Sequence, residues 1–357
     1  MPYKIAVYAI AKNEEKFADR WAKSMSEADE IVVLDTGSED NTVKILSSYP
    51  NIRVYSEKIV PWRFDTARNR ALELVSLDAD ICISTDLDEL FEPGWREGIE
   101  KALDEGARRI RYRYTWNFLP DGREGTVFIA DKFHARHGFV WKHPVHEVIT
   151  YTGEGEPKTV FAENVRLLHK ADNEKSREAY LGLLELSVRE CPEDDRNIHY
   201  LGREYMFRKR YSEAVETLKK HLSLKSATWA DERSASMRYI AFCSYMTGDG
   251  SAAEQWYLRS CAEAPHLREP WLNFAYFCYE TKKYEAAAAL VERALEIKTR
   301  PETYMNESDS WNEKPYDVLS MSYYYLGDMK RAREAAEKAL AVAPENERIR
   351  KNLSYFC

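Results

Sequence analysis

Three carboxylates, Asp86, Asp88 and Glu89, follow the apolar run Ile81-Cys82-Ile83-Ser84. A short apolar run of this kind reads as a buried strand. Like charges gathered at its end repel one another unless a cation or a ligand compensates them. Carboxylate oxygens are hard donors that suit Mg2+ or Mn2+, and such an ion joins a protein to a diphosphate. An Asp-x-Asp pair also arises by chance as a solvated strand end, so the surrounding stretches decide the reading. Asn13-Glu14-Glu15 follows an earlier apolar run and Asp35-Thr36-Gly37-Ser38 another, while Phe64-Asp65-Thr66-Ala67-Arg68-Asn69 opens a helical stretch before the acids. Taken alone, Asp35 reads as a turn residue whose carboxylate accepts from its own backbone.

These polar groups need strand ends to hold them. Lys4–Ile10, Glu30–Leu34, Ile52–Tyr55 and Ile81–Ser84 read as strands. Between them Glu14–Ser26, Asp40–Ser48 and Thr66–Val75 read as helices, the second with Asp40 or Asn41 as its N-cap. Alternating strands and helices imply a doubly wound α/β sheet, which binds ligands at the carboxyl ends of its strands near a switch point. Residues 108–165 are β-rich and irregular, and Arg108-Arg109-Ile110-Arg111-Tyr112-Arg113 reads as a strand with a basic solvated face.

Beyond Ala171 helical periodicity takes over. Ala214, Ala253, Ala287 and Ala332 are each followed seven residues later by His221, Ser260, Ala294 and Ala339. Three residues before them stand Tyr211, Gly250, Tyr284 and Met329, and twelve residues after them Ser226, Pro265, Thr299 and Pro344. This is the tetratricopeptide pattern, with small residues where two helices cross closely. Leu201-Gly202 and Tyr205 supply the signature of the preceding helix. The intervals of 39, 34 and 45 residues place an insertion around Arg300–Lys314 and give about four helix pairs.

The chain has 357 residues, 44% hydrophobic and 31% charged, enough for two domains, expected at 1–172 and 173–357. A net charge of -8 argues against nucleic-acid binding. No apolar run approaches the roughly 20 residues of a membrane span, and the N-terminus enters a strand directly with no signal-peptide core. Cys82, Cys191, Cys243, Cys261, Cys278 and Cys357 form no C-x-x-C pair and read as buried reduced thiols. Together these features point to the cytoplasm.

In their order along the chain, the stretches around Asn13, Asp35, Arg68 and Asp86-Leu87-Asp88-Glu89 resemble family 2 glycosyltransferases. The resemblance implies a GT-A fold, Rossmann-like with a mixed sheet, followed by an all-α tetratricopeptide-like domain. It implies a nucleotide-sugar donor, a UDP-sugar, lying against Ala9, Asn13, Glu14, Asp35, Asp65, Arg68, Asp86 and Leu87. It also implies Mn2+ or Mg2+ held by Asp86 and Asp88, with His169 as a third ligand. Many members of that family carry an acid where this chain has Thr36. Val145-His146-Glu147 and the later Leu167-Leu168-His169 are similar to a sub-branch that includes the sublancin-type peptide S-glycosyltransferases and lipopolysaccharide core transferases.

Glu147 is the first candidate for general base, His146 its rival and Asp131 a weaker third; a His146-Glu147 pair that only holds its loop is the structural alternative. Trp62, Trp116 and Trp141 offer rings for stacking on sugars, or for packing. The expected activity is metal-dependent inverting transfer of a sugar to a peptide, protein or glycan acceptor, with the repeats binding the acceptor or a second copy of the chain. A catalytically inactive nucleotide-binding tetratricopeptide scaffold is the alternative. A nucleotidyltransferase would show a glycine-rich basic phosphate loop, and Ala9-Ile10-Ala11-Lys12-Asn13-Glu14 is not one.

Overall fold

In a computed structural model of the chain, which describes residues 2–119, 121–171 and 180–356, the early apolar runs become parallel strands. β1 (Ile5–Ala11), β2 (Glu30–Asp35), β3 (Ile52–Ser56) and β4 (Ile81–Ser84) alternate with α1 (Glu15–Ser24), α2 (Thr42–Leu46) and α3 (Phe64–Glu73). β1, β2 and β4 are buried along almost their whole length. Both faces of this sheet are covered, which is why the strands read as continuous apolar runs rather than alternating ones. α2 is shorter than expected because Asp40 lies outside it and accepts from Thr42 N (2.9 Å), closing the turn before the helix.

β5 (Glu89–Phe91), α4 (Trp95–Asp104), β6 (Arg109–Thr115), β7 (Val127–Ala135), β8 (Phe139–Lys142), β9 (Val148–Tyr151) and β10 (Thr159–His169) complete the first unit. The eight-stranded sheet runs β3-β2-β1-β4-β7-β6-β10-β5, with β8-β9 a separate hairpin. β7 is antiparallel to β4 and β6, and β5 antiparallel to β10, so the sheet is mixed. The chain leaves β1 toward β2 and β3, then returns to β4 on the other side of β1. That reversal is a switch point, and the carboxyl ends of β1, β2 and β4 meet the expected polar motifs there. One face of the sheet packs Phe17, Trp21, Trp95 and Ile99 from α1 and α4 into a core. The other packs Ala71 and Leu72 of α3 with Phe139, Trp141 and Ile149 of the hairpin.

The second unit is helical: α5 (Tyr180–Glu190), which straddles the division at Ser187, then α6 (Asp195–Phe207), α7 (Tyr211–Ser223), α8 (Ala230–Met246), α9 (Gly250–Glu263), α10 (Arg268–Glu280), α11 (Tyr284–Glu296), α12 (Lys314–Tyr325), α13 (Met329–Val342) and α14 (Glu347–Leu353). The residues set three before the repeated alanines, Tyr211, Gly250, Tyr284 and Met329, each open a helix. The four alanines and the four residues seven further on are all wholly buried. Gly202 shows why small residues are needed: a Cβ there would lie 2.6 Å from Leu218 Cγ, across the α6–α7 contact. The insertion before α12 holds one 3-10 turn, Ser308–Ser310.

Cys82, Cys243, Cys261 and Cys278 are buried thiols, but Cys191 is exposed, because it follows the last turn of α5 and has no core to enter. Cys357 lies outside the described residues. Among the described residues no helix is long and apolar enough to cross a membrane.

Candidate active site

Arg68, on the buried side of α3, joins groups far apart in the chain. Its Nη2 donates to Asp86 Oδ1 (2.8 Å), its Nη1 to Ser84 Oγ (3.2 Å) and its Nε to Glu147 Oε1 (2.5 Å). The residue is 3% exposed, with its guanidinium over the Trp141 ring at 5.2 Å. Burial opposes the charge on Arg68, but Asp86 and Glu147 outweigh it and hold the guanidinium protonated.

Asn69, the next residue of α3, accepts from Trp141 N (2.8 Å) and donates to Trp141 O (2.9 Å). Phe64 N donates to Pro144 O (3.0 Å). Together they tie the loop after β8 to α3. In that loop His143 and His146 take φ of 77° and 50°, a left-handed conformation that non-glycine residues adopt only when their surroundings impose it. Glu147 emerges from the loop with Oε1 on Arg68, while Oε2 accepts no hydrogen bond among the described residues. The His146 ring lies edge-on to Tyr180, centroids 6.1 Å apart.

The three acids after β4 have three different settings. Asp86 is 37% exposed in its side chain and pairs with Arg68 and, at 3.8 Å, with Lys132. Burial pushes its carboxyl up, but Arg68 and then Lys132 prevail and hold it well below the usual carboxylate range. Glu89 turns inward, 1% exposed, accepting from Tyr114 Oη (2.6 Å), Lys132 Nζ (3.1 Å) and Asp86 N (2.9 Å). It braces the turn and is saturated, so the expected cluster of three acids is a pair.

Asp88 belongs with His169. β10 runs antiparallel to β5 with His169 opposite Glu89, which brings His169 Nε2 to 3.6 Å from Asp88 Oδ2. His169 Nδ1 faces the Trp116 carbonyl at 2.8 Å, and its ring stacks on Trp116 with centroids 4.5 Å apart. A carbonyl only accepts, so Nδ1 carries a hydrogen and Nε2 is the atom turned toward Asp88. Burial lowers the pKa of this imidazole, but Asp88 more than offsets it and leaves it raised. Two donor atoms 3.6 Å apart fit a single ion about 2.1 Å from each. Asp86 faces Arg68 instead: among the described residues, Asp86, Asp88 and His169 do not draw their ligand atoms within 4.8 Å of one another.

At the carboxyl end of β2, Asp35 closes its own turn, accepting from Gly37 N (3.1 Å) and Ser38 N (3.2 Å). Gly37, at φ 112°, is the residue that lets the turn close. Asn13 takes φ 55° and accepts from Glu39 N (2.8 Å), and Glu14 N donates to Thr42 Oγ1 (2.7 Å), so the loops after β1 and β2 are stitched together. Asp65 takes a two-pronged contact from Arg63 at 3.0 and 2.8 Å. Ala9 and Leu87 put their side chains into the core, and Ala9 also sits inside the β1–β2 ladder opposite Val33.

Trp141 is a core residue, its Nε1 donating to Tyr8 Oη (2.7 Å), and Trp62 packs on Phe64. Trp116 alone of the three keeps an open ring, 43% exposed. Asp131 stands apart, 3.8 Å from Arg109. Its neighbour Lys132 joins the candidate site, paired with Glu89 and Asp86. A bulge sets Asp131 and Lys132 together against Arg111 of β6, and bulges re-aim side chains; nothing local in the sequence marks it.

Residues 7–151 match the family model for glycosyl transferase family 2. They form a family 2 glycosyltransferase domain. The match supports glycosyltransferase activity and implies a nucleotide-sugar donor and an acceptor. Residues 314–346, which span α12 and α13, match the tetratricopeptide repeat. Solved structures similar to part of the chain include a MamA protein, at 15% identity over 47% of this chain and 83% of that one, TM-score 0.37. YrrB, described as a TPR protein with an unusual peptide-binding site, is 14% identical over 49% of this chain and 82% of that one, TM-score 0.37. A thermophilic TPR protein of Thermus thermophilus is 17% identical over 50% of this chain and 89% of that one, TM-score 0.36. Within the first unit, the motif after β4 and the loop after β8 contribute Asp86, Asp88 and Glu147, and the end of β10, beyond the matched residues, contributes His169.

Proposed function

We propose that the family 2 domain is an inverting glycosyltransferase that moves a sugar from a UDP-sugar to a peptide, protein or glycan acceptor. The repeats hold the acceptor or a second copy of the chain, since stacked helix pairs offer an extended binding surface. The observation that carries this reading is the convergence on Arg68 of Asp86 from the strand-end motif and Glu147 from the distant loop.

Asp88 and His169 are the residues that would hold Mn2+ or Mg2+, with Asp86 as the other carboxylate of the motif. An ion held there would offset charge developing on the departing nucleoside diphosphate. Glu147 Oε2 takes the proton of the acceptor as the acceptor attacks the anomeric carbon, and the bond to the diphosphate breaks with inversion. Arg68 occupies Oε1 and so decides which oxygen is offered. Asn69 and the left-handed His143 and His146 keep the loop in place, and the open ring of Trp116 suits the apolar face of a sugar.

The test is incubation of the full chain with a panel of UDP-sugars and Mn2+, following release of UDP. Slow hydrolysis is expected, abolished by EDTA and restored by Mn2+; full activity in EDTA removes the metal from the reaction. Binding of UDP with no turnover on any donor favours the scaffold reading. Pyrophosphate release from UTP and a sugar phosphate makes the protein a nucleotidyltransferase.

A further inference from the structure

The helical unit holds a buried polar cluster that the repeat pattern does not need. His199 comes from α6, His221 from α7, and Glu232 and Ser236 from α8, where their spacing of four puts both on one face. The two histidines and Ser236 are wholly buried and Glu232 is 4% exposed. One ligand atom from each of His199, His221 and Glu232 lies within 4.8 Å of the others, the only such trio among the described residues.

Ser236 Oγ stands 2.8 Å from His199 Nδ1 and 2.9 Å from His221 Nδ1. His221 Nε2 is 3.3 Å from Glu232 Oε1, and Tyr304 Oη donates to Glu232 Oε2 (3.0 Å). Neither Nε2 has a hydrogen-bond partner. One hydroxyl facing two ring nitrogens allows two arrangements of its hydrogens. Ser236 donates to one Nδ1 and accepts from the other, which leaves one Nε2 bare; or it accepts from both, which leaves two bare. Either way a buried ring nitrogen goes unsatisfied near a buried carboxylate, and such groups are costly. The second arrangement is the one seen around bound metals: Nδ1–H held by a polar acceptor, with Nε2 offered to the ion. Arg238, the wholly buried cation of α8, does not fill the gap, because its Nη1 donates to Glu307 (2.6 Å).

We propose that His199, His221 and Glu232 bind one Zn2+ ion that fastens α6, α7 and α8 together. Two imidazoles and a carboxylate are a zinc donor set. The site is closed, so its role is to brace the repeats, and through Tyr304 it braces the insertion before α12 as well. No reaction is involved.

The test uses the full chain carrying Asp88→Asn, which removes the pair proposed for the donor's metal. The protein is stripped with a chelator, reloaded with ZnCl2, passed through a desalting column and its zinc counted by plasma mass spectrometry. One equivalent is expected, lost when His221→Asn or His199→Asn is added, together with a rise of several degrees in melting temperature on zinc loading. Co2+ in place of zinc should show the d–d bands of a tetrahedral ion without thiolate charge transfer. That measurement needs no change in the cluster, and Glu232→Gln is the milder variant if a histidine replacement unfolds the unit. No retained metal after reloading overturns the proposal, as does an equivalent that survives both histidine replacements. A Co2+ spectrum with thiolate character, placing the metal on the exposed Cys191, overturns it too.

Discussion

Around Asp86 the chain supplies its own cations. Arg68 and Lys132 lie against Asp86, Glu89 and Glu147, and every carboxylate there has a positively charged neighbour. Around Glu232 the neighbours are two imidazoles, at least one of them with a bare nitrogen, and a tyrosine hydroxyl. The first cluster is open and already compensated, so a ligand entering it must exchange one set of charge pairs for another. The second is closed and undersatisfied, so a ligand entering it completes what is there. Exchange suits a site that turns over; completion suits a site that stays filled.

Glu147→Gln probes the open cluster most sharply. The amide keeps size and a hydrogen bond to Arg68 but cannot take a proton. Turnover to a hydroxyl acceptor should fall by about 10² to 10⁴ while UDP affinity by calorimetry barely changes. Near-normal turnover would pass the role of base to His146, tested next as His146→Ala. Arg68→Met should cost stability as well as rate, because it strands Glu147 and Asp86 together. A loss of about 3 kcal/mol in urea unfolding is expected, the lower end for breaking a buried pair since Asp86 is partly solvated. No loss would mean that Arg68 does not compensate them.

His134 offers a comparison within the first unit. It is wholly buried between Tyr8 Oη (2.8 Å) and its neighbour's carbonyl, and burial pushes its pKa down to about 4. Between pH 6.5 and 4 the unfolded chain binds a proton that the folded chain refuses, so stability is full above that window and falls as pH drops through it. The contribution is up to about 3 kcal/mol. Urea midpoints against pH should show a shallower slope in His134→Gln than in the parent; equal slopes would rule out His134 as the source. The smallest effect is expected from Gly202→Ala. Crowding against Leu218 costs about 1–3 kcal/mol and better helix propensity returns about 1. A net loss of about 1 kcal/mol should appear in the unfolding of the repeats, with UDP binding unchanged.

The periodic parts of the fold were legible in the sequence. The first four strands lie within a residue of their expected ends, because runs buried on both faces leave a signal no flanking residue can blur. The repeat alanines were equally plain, since helix crossings demand small side chains at fixed spacing. The three-residue β5 was hidden, being too short to carry any period. The site was half legible. Asp86, Asp88, Glu147 and His169 stood out by type and order, but Arg68 as the common partner of Asp86 and Glu147, and Lys132 in its bulge, are facts of tertiary register. Glu89 looked like a third acid of the same cluster because composition does not say which way a carboxylate turns. His221 stood in a slot that other repeats fill with serine or alanine, and that misfit was the one available hint of the second cluster.

His169 is brought to Asp88 by strand pairing, with Trp116 holding its ring, which makes the site tolerant in one place and brittle in another. The segment 152–158 links β9 to β10, and the irregularity in β10 pairing between Phe161 and Arg166 lies upstream of the paired end. Residues added at Gly153–Gly155 can be absorbed before the chain reaches Leu167. One residue added between Leu167 and His169 cannot, because strand side chains alternate and a slip of one turns the imidazole to the opposite face. A peptide tag at Gly153–Gly155 should therefore leave turnover intact, whereas a single alanine inserted before His169 should abolish it in a protein that still folds.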